Sequence, residues 1–325
     1  KMPNNIQRHL SLALKIALGL LLLYLAFQRV DWPILLDMLR SVSMLWLFLA
    51  ILSVLLSLAL KVWRWELLLR NYQLRLPLKR LISAFFLGQA ANILLIIRGG
   101  EIVRVTSAHQ PGQDDWVEIS ATIAIEKYLD LLFLVLLMLA MATNLPPLAR
   151  ETLGNLYPLL ITMTILLLLA ILFAPTLWRK FSPDESNTPW LAKIQLKLDQ
   201  FLQASLWLRD PRKLLPSIVI TLLIWAVMAL TNRLVFQSLA IDLGWDAALL
   251  VLILVYIGVL PALMPGNLGP FTFFAQLALI PYAVSNELAV AFAIILYVIV
   301  TLPPLLISGL LMILPTHLKH EAPHA

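Results

Sequence analysis

Three groups of polar residues interrupt otherwise apolar stretches of the sequence, and the first has the spacing of an anion site. Arg98, Glu101 and Arg104 stand three residues apart, so a helical turn would place positive, negative and positive charge on one stripe. A guanidinium offers paired donors to a phosphate or carboxylate, and two arginines that share one glutamate leave spare positive charge. The segment from Asn92 to Arg104 therefore predicts an anion site in which Glu101 either positions the arginines or competes with the anion. The alternative is an interfacial ion-pair cluster that merely ends the segment.

The second group lies within a single predicted helix. Glu126 and Asp130 are four residues apart and share a helix face, and Lys127 follows Glu126 directly. In a membrane helix, an ionised group at the bilayer centre costs at least about 2.5–3.5 kcal/mol, so these side chains must face protein or water. Two neighbouring carboxylates raise each other's proton affinity and can share a proton. Two interpretations stay open: proton or cation coupling, or structural ion pairs that neutralise nearby arginines.

The third group is a break rich in proline and glycine, between Pro261 and Pro270. Proline removes a backbone donor and stops a helix, while glycine lets the chain turn. Carbonyls freed at such a break, and the N-terminus of the next helix, can contact polar groups of a substrate. The break predicts a hairpin tip beside a substrate path, against the alternative of a kink between two short packed helices. Its candidate contact residues are Pro265, Gly266, Asn267 and Gly269.

Other candidates carry weaker signals. Arg64 with Trp65 fits an interfacial anchor better than a ligand. Arg233 lies near the end of a predicted helix, where a cavity role is secondary. The sequence has no cysteine, its five histidines lack metal-ligand spacing, and no P-loop, HExxH or GxSxG motif occurs. We therefore predict no catalytic residue, no metal site and no cofactor.

The elements that must position these groups are membrane helices. Of 325 residues, 61% are hydrophobic and 13% are charged, and the mean hydropathy is +0.89. Soluble proteins carry roughly 25% charged residues, so this composition excludes a soluble enzyme or a nucleic-acid-binding protein and predicts a multi-pass membrane protein. The net charge of +6 is assigned to cytoplasmic loops and to anionic lipid.

About 20 apolar residues cross the hydrocarbon core, and this length predicts about six full crossings. They are the stretches 10–28, 41–60, 116–142, 152–178, 214–240 and 288–318. Two segments fit a crossing poorly: 81–104 ends in charged residues and paired glycines, and 247–286 contains the proline-rich break. Both are predicted to be re-entrant hairpins.

Loop charges predict the orientation. Residues 61–80 hold six basic residues and one acidic residue, and residues 179–213 hold seven and four, so both loops are predicted to be cytoplasmic. The second loop contains an amphipathic pattern over 190–209, typical of a helix on the membrane surface. An even number of crossings between the loops makes 81–104 enter from the inner side and 247–286 from the outer side. Both chain termini are then cytoplasmic.

The predicted fold is an all-α integral membrane domain with an inverted-topology repeat. Residues 1–142 give helix, helix, inner hairpin and helix, and residues 150–315 give the same order in the opposite orientation. Interrupted segments at matching places in two such halves often mark the substrate site of a transporter near the bilayer midplane. The repeat rests on hydropathy and parity, because the halves share no sequence identity.

Taken in order, these motifs resemble the flippase-like membrane domain of the lysylphosphatidylglycerol synthase family, over nearly the whole chain. That family's first motif, Asn-x-x-x-Pro-x-Arg-x-Gly-Glu-x-x-Arg, is matched at Asn92, Arg98, Gly100, Glu101 and Arg104. Ile96 stands where proline is usual. Glu126-Lys127 with Asp130 matches the usual Glu-Arg-x-x-Asp, and Thr272 replaces a glutamate common after the late break. A site that depends on that glutamate is not expected here.

The resemblance implies movement of a lipid, or of a lipid-linked headgroup, between the leaflets of the inner (cytoplasmic) membrane. Bifunctional relatives carry an additional soluble synthase domain; this sequence ends at Ala325 with no room for one, so we expect a single polytopic domain over residues 1–325. We predict a flippase-type transporter for an anionic or polyprenyl-phosphate-linked lipid, with Arg98 and Arg104 holding the headgroup. The alternatives are a membrane enzyme that modifies a lipid headgroup, with Glu101, Glu126 or Asp130 as acid–base residues, and a non-transporting partner in an envelope-biosynthesis complex.

Overall fold

The computed structural model describes most of the chain. The described residues are 4–28, 30–95, 99–109, 115–142, 151, 158–166, 169, 173 and 211–313. Within them the chain is helical and forms no strand, so the all-α prediction is confirmed. The named helices are α1 (Asn4–Phe27), α2 (Trp32–Arg40), α3 (Met44–Asn71), α4 (Leu78–Leu94), α5 (Gly100–Ala108), α6 (Trp116–Ala142), α7 (Pro211–Ser238), α8 (Trp245–Val259), α9 (Leu268–Leu279) and α10 (Asn286–Ile313).

Three of these helices are long and apolar enough to cross a membrane: α3, α7 and α10. The bent pair of α1 and α2 makes a fourth if it counts as one span, although its two parts meet at 82°. The six predicted crossings and the inverted repeat therefore stay predictions. The amphipathic helix over 190–209 and most of the predicted crossing over 152–178 lie outside the described residues.

Helices α3 and α7 form a long antiparallel pair. The backbone N–H of Ser43 donates to the carbonyl of Ser238 at 2.8 Å, and the hydroxyls of Ser53 and Thr231 are 2.7 Å apart. The two contacts join early residues of α3 to late residues of α7, which fixes the opposite directions. Small hydroxyl side chains allow close approach between membrane helices and satisfy each other where lipid offers no hydrogen bonds.

Helices α4 and α5 pack as a tight antiparallel hairpin over the segment predicted to be re-entrant. Gly88 on α4 faces Gly100 and Arg104 on α5, and a Cβ on Gly100 would collide with the Gly88 carbonyl oxygen. The amide of Gly100 donates to the Asn92 side-chain oxygen at 3.0 Å. Glycine is therefore required here for close approach of two backbones. Residues 96–98, including Arg98, lie outside the described part of the chain.

The predicted break after α8 is also present. A short 3₁₀ turn, Pro265–Asn267, separates α8 from α9, and the two helices pack side by side where Gly258 meets Phe274. Gly266 has a φ of +67°, which a side chain disfavours. The side-chain oxygen of Asn267 accepts a hydrogen bond from the amide of Leu263 at 3.1 Å and so closes the turn. The chain therefore forms a second helical hairpin.

The two hairpins meet inside the molecule. The Pro265–Asn267 turn packs against α4, where the position of a Cβ on Gly266 would lie 3.8 Å from the carbonyl oxygen of Ile93. The Ser308 hydroxyl of α10 donates to the carbonyl of Phe86 at 2.7 Å, which ties α10 to the first hairpin. The tips of both interrupted segments therefore border one interior region.

Candidate functional site

Arg64 lies at the centre of a buried ion-pair network. Its side chain is fully buried on α3, and its two terminal nitrogens donate to the two oxygens of Asp130 at 2.7 and 3.1 Å. Glu126 lies 3.2 Å away, and Thr221 of α7 accepts a further hydrogen bond at 3.0 Å. The interfacial anchor expected for Arg64 and Trp65 is wrong. The apolar stretch ended at position 60, but α3 continues to Asn71, which places both residues inside the packed helix.

Arg104 is held from two sides. Its Nη2 lies 2.7 Å from Oε2 of Glu126, and its guanidinium stacks 3.8 Å from the ring centroid of Trp65. Phe85 lies on the same guanidinium at 5.0 Å. A desolvated cation over an indole is worth about 2 kcal/mol or more, in addition to the ion pair. Arg104 is therefore fixed by α3 and α6.

Glu101 does not position Arg104, contrary to the expectation from their spacing. Lys127 lies 3.3 Å from Oε1 of Glu101, and the Asn92 amide donates to the same oxygen at 3.3 Å. Thus Glu101 and Arg104 of α5 pair with Lys127 and Glu126 of α6, respectively. The expected stripe of alternating charges is replaced by ion pairs between helices. The Glu101–Lys127 pair is the more exposed, with side chains 30% and 52% accessible.

Glu126 and Asp130 share a helix face, as their spacing predicts, and both contact Arg64. The two oxygens of Glu126 are divided between Arg64 and Arg104, while both oxygens of Asp130 pair with Arg64. This geometry is that of a structural ion-pair network. Because isolated charges are costly away from water, the network makes these ionised groups tolerable in an apolar interior. Proton coupling by Glu126 or Asp130 stays a prediction.

The three predicted groups border a common cavity of about 550 Å³. Both hairpins and α6 contribute to its lining. Its lining includes the predicted residues Asn92, Glu101, Glu126, Lys127, Asp130, Gly266 and Asn267. Arg104 lines a small adjoining space of about 30 Å³ between α4, α5 and α6. The structure therefore brings together residues that are 175 positions apart in the chain, from Asn92 to Asn267.

Four predicted residues have other positions. Gly269 packs against α1 at Gly19, and Pro265 begins the turn without lining the cavity. Arg233 lies on α7 away from the cavity lining, and Arg98 belongs to the segment outside the described residues. Thr272, which replaces the common glutamate, donates its hydroxyl to the carbonyl of Leu268 at 2.7 Å. The hydroxyl of Thr272 therefore finds its hydrogen-bond acceptor within its own helix.

A second, apolar cavity of about 260 Å³ adjoins the first. Nine residues line both, including Lys61, Gln89, Phe271 and Thr301, so the two spaces lie side by side. Lys61 is the one charged residue among those that line the apolar cavity. The combined space is therefore amphipathic, with a charged end beside α6 and an apolar end between α3, α8 and α10.

Sequence reasoning missed Lys61 and Gln89 as lining residues. Lys61 is three residues before Arg64, so a helix that continued past position 60 would have placed the two side chains on the same face. The apolar residues keep a regular helical spacing through Leu69, and this spacing could have predicted that the helix continues. The charged residues after position 60 obscured the pattern. Within the described residues, no three His, Asp or Glu side chains come together in an arrangement that could hold a metal ion.

Fold and cavity together define a multi-pass α-helical membrane domain with an amphipathic internal space. The family model described as "Lysylphosphatidylglycerol synthase TM region" matches residues 12–309. The chain belongs to this family, a membrane domain associated with lipid-related functions. Comparison with curated proteins gives no match.

Proposed function

We propose that this protein is a flippase-type transporter that moves an anionic or polyprenyl-phosphate-linked lipid between the leaflets of the inner membrane. The observation that carries the proposal is the pair of adjoining cavities, one lined by charged side chains and the other mainly by apolar ones. A phospholipid has the same division between headgroup and chains. A space of this composition accepts the headgroup together with the first part of a chain.

The cavity offers a headgroup what the hydrocarbon core lacks. Moving a charged group into an apolar medium without compensation is prohibitively costly. The lining supplies ammonium, carboxylate and amide groups, from Lys127, Glu101 and Asn92 among others. A lipid headgroup can therefore exchange its water for fixed polar partners during the crossing.

The two interrupted segments are the proposed moving parts. Each contributes to the cavity at its broken end, through Asn92 and Ile93 of the first hairpin and Gly266 and Asn267 of the second. The first hairpin is tied to α6 by the buried Arg104–Glu126 pair and, nearer its tip, by the half-exposed Glu101–Lys127 pair; exposed pairs are worth little. Opening at this pair costs far less than opening the buried arginine network. The proposal includes the predicted orientation, in which the first hairpin enters the membrane from the inner side and the second from the outer side.

A leaflet-resolved lipid assay tests the transport function. Purified protein is placed in phosphatidylcholine vesicles that contain a trace of tail-labelled phosphatidylglycerol, and dithionite quenches the label in the outer leaflet. Redistribution without chemical change supports transport. A new lipid species on chromatography would instead support a headgroup-modifying enzyme, and no change of either kind would leave the role of an assembly partner.

Two carboxylate variants give the assay a matched control. Asp130→Asn weakens the bidentate pair that fixes Arg64 in the wall of the cavity, so it is expected to slow redistribution roughly tenfold through loss of the cavity geometry. Asp37→Asn removes an exposed charge on α2, where the pair with Arg40 is 3.5 Å long and 77–79% accessible, so it is expected to leave the rate unchanged. Equal rates for both variants would contradict the assigned cavity.

A further inference from the structure

The charged end of the cavity holds one more cation than it can neutralise. Seven ionisable side chains from α3, α5 and α6 meet there among the described residues. They are the cations Lys61, Arg64, Arg104 and Lys127 and the carboxylates Glu101, Glu126 and Asp130. Four positive charges against three negative charges leave a net charge of +1.

The ion pairs show which cation is left over. Both oxygens of Asp130 and both oxygens of Glu126 are occupied by arginines, and the third carboxylate, Glu101, pairs with Lys127. Lys61 forms no ion pair or hydrogen bond with any described residue. Its half-buried ammonium interacts only at longer range with the carboxylates of Asp130 and Glu126. Both of those carboxylates are already neutralised by arginines.

Lys61 also has a distinctive position. It lines both the charged and the apolar parts of the space, and it is the one charged side chain among the residues that line the apolar part. In a phospholipid, the phosphate lies at the same boundary, between headgroup and chains. Gln89 and Thr301 line both parts too and supply neutral polar groups beside it.

We infer that Lys61 binds the phosphate of the lipid, and that the site selects phosphodiester lipids with one net negative charge. An ammonium has three donors and no acceptor, so a half-buried lysine without a carboxylate partner among the described residues offers its donors to an anionic ligand. Arg104 is already held by Glu126 and Trp65, so it serves the site as a counter-ion instead of a ligand. This inference rests on the proposed lipid-transport function and names its substrate class.

Charge balance gives the selectivity. A phosphodiester lipid such as phosphatidylglycerol brings one negative charge and neutralises the site. A zwitterionic lipid such as phosphatidylcholine brings its own cation and leaves the excess charge in place. A phosphomonoester carries a charge of roughly −1.5 to −2, which exceeds the single positive charge of the site.

The test compares three tail-labelled lipids in vesicles that contain the purified protein: phosphatidylglycerol, phosphatidylcholine and phosphatidic acid. The wild type is expected to move phosphatidylglycerol fastest. Lys61→Gln is expected to slow phosphatidylglycerol roughly tenfold to a hundredfold, the value of one charge-assisted hydrogen bond, without slowing phosphatidylcholine. Lys61→Arg keeps the charge and is expected to retain most of the rate.

The matched control is Lys79→Gln, which removes an exposed lysine from the first turn of α4, away from the cavity. It is expected to behave as the wild type with all three lipids. If Lys61→Gln folds normally and either leaves phosphatidylglycerol unaffected or slows all three lipids equally, the inference is overturned.

A binding measurement separates this inference from the transport proposal. Thermal unfolding in detergent is recorded with added phosphatidylglycerol or phosphatidylcholine. The inference expects phosphatidylglycerol to raise the Tm of the wild type and not that of Lys61→Gln. If the wild type moves no lipid but shows this selective stabilisation, transport is refuted while the role of Lys61 is supported. If phosphatidylglycerol stabilises both proteins equally, the role of Lys61 is refuted whatever the transport result.

Discussion

Replacing Arg64 with methionine removes the cation on which the ion-pair network is centred. The Arg64 side chain is fully buried, and its partners Glu126 and Asp130 are only 6% and 13% accessible. Methionine is similar in length and packs well in an apolar interior. The change therefore removes charge and hydrogen bonds while leaving little cavity.

The expected magnitude follows from what is left unpaired. Glu126 keeps Arg104 at 2.7 Å, but Asp130 loses its bidentate partner. Breaking one side of a buried ion pair typically costs about 3–5 kcal/mol. Adding Asp130→Asn removes the stranded charge, so the double variant should be less destabilised than the sum of the two single variants by about 0.5–3 kcal/mol.

The assay is equilibrium unfolding of the purified protein in mixed micelles with increasing denaturing detergent, for the wild type, both single variants and the double variant. Arg40→Met is the control, because Arg40 is 79% accessible and lies 3.5 Å from its partner. It should unfold as the wild type does, since exposed pairs contribute little. If Arg64→Met were as stable as Arg40→Met, or if the two changes were additive, the buried network would not be what stabilises this region.

Three further predictions concern the hairpins. Gly266→Ala places a side chain at a φ of +67° and 2.5 Å from the Tyr297 hydroxyl, so it should lower the Tm, whereas Gly309→Ala, with nothing within 4 Å, should leave it unchanged or raise it. Gly100→Ala should lower the Tm more than Gly266→Ala, because the added carbon meets the backbone of α4. A Tm equal to that of the wild type would contradict the tight packing of α4 against α5. In this cysteine-free chain, Gln73→Cys should react with an impermeant thiol reagent from the cytoplasmic side alone and Ser285→Cys from the outer side alone, and the reverse pattern would contradict the predicted orientation.

Helix positions were largely accessible from the sequence because apolar length and breaking residues are local signals. The stretches 41–60, 116–142 and 214–240 predicted α3, α6 and α7, and the proline-rich break fell where α8 and α9 separate. The short helix α2 was missed. Its signals were Asp31, which caps the helix by accepting from the amide of Ile34 at 3.3 Å, and a proline in the first turn.

The end of α3 was misplaced for a physical reason. A search for charge-free stretches stops at Lys61, since a charge in lipid is costly. That cost falls when the charge faces protein, and Arg64 faces Asp130, Glu126 and Thr221 from neighbouring helices. The sequence of α3 alone does not contain those partners. The search for a charge-free stretch therefore located the helix but placed its end too early.

Partner choice is what residue spacing could not supply. Glu101 and Arg104 are one turn apart, and an exposed pair at that spacing contributes only about 0.2–0.5 kcal/mol. Once α5 packs against α6, Arg104 and Glu126 leave water while Glu101 and Lys127 stay partly exposed, and the nearest opposite charge decides the partner of each. Lys127 and Glu126 are nearer, so the pairs cross between the helices. Among the described residues, Lys61 is identified as the cation without a partner only after the packing has assigned every carboxylate of the site to another residue.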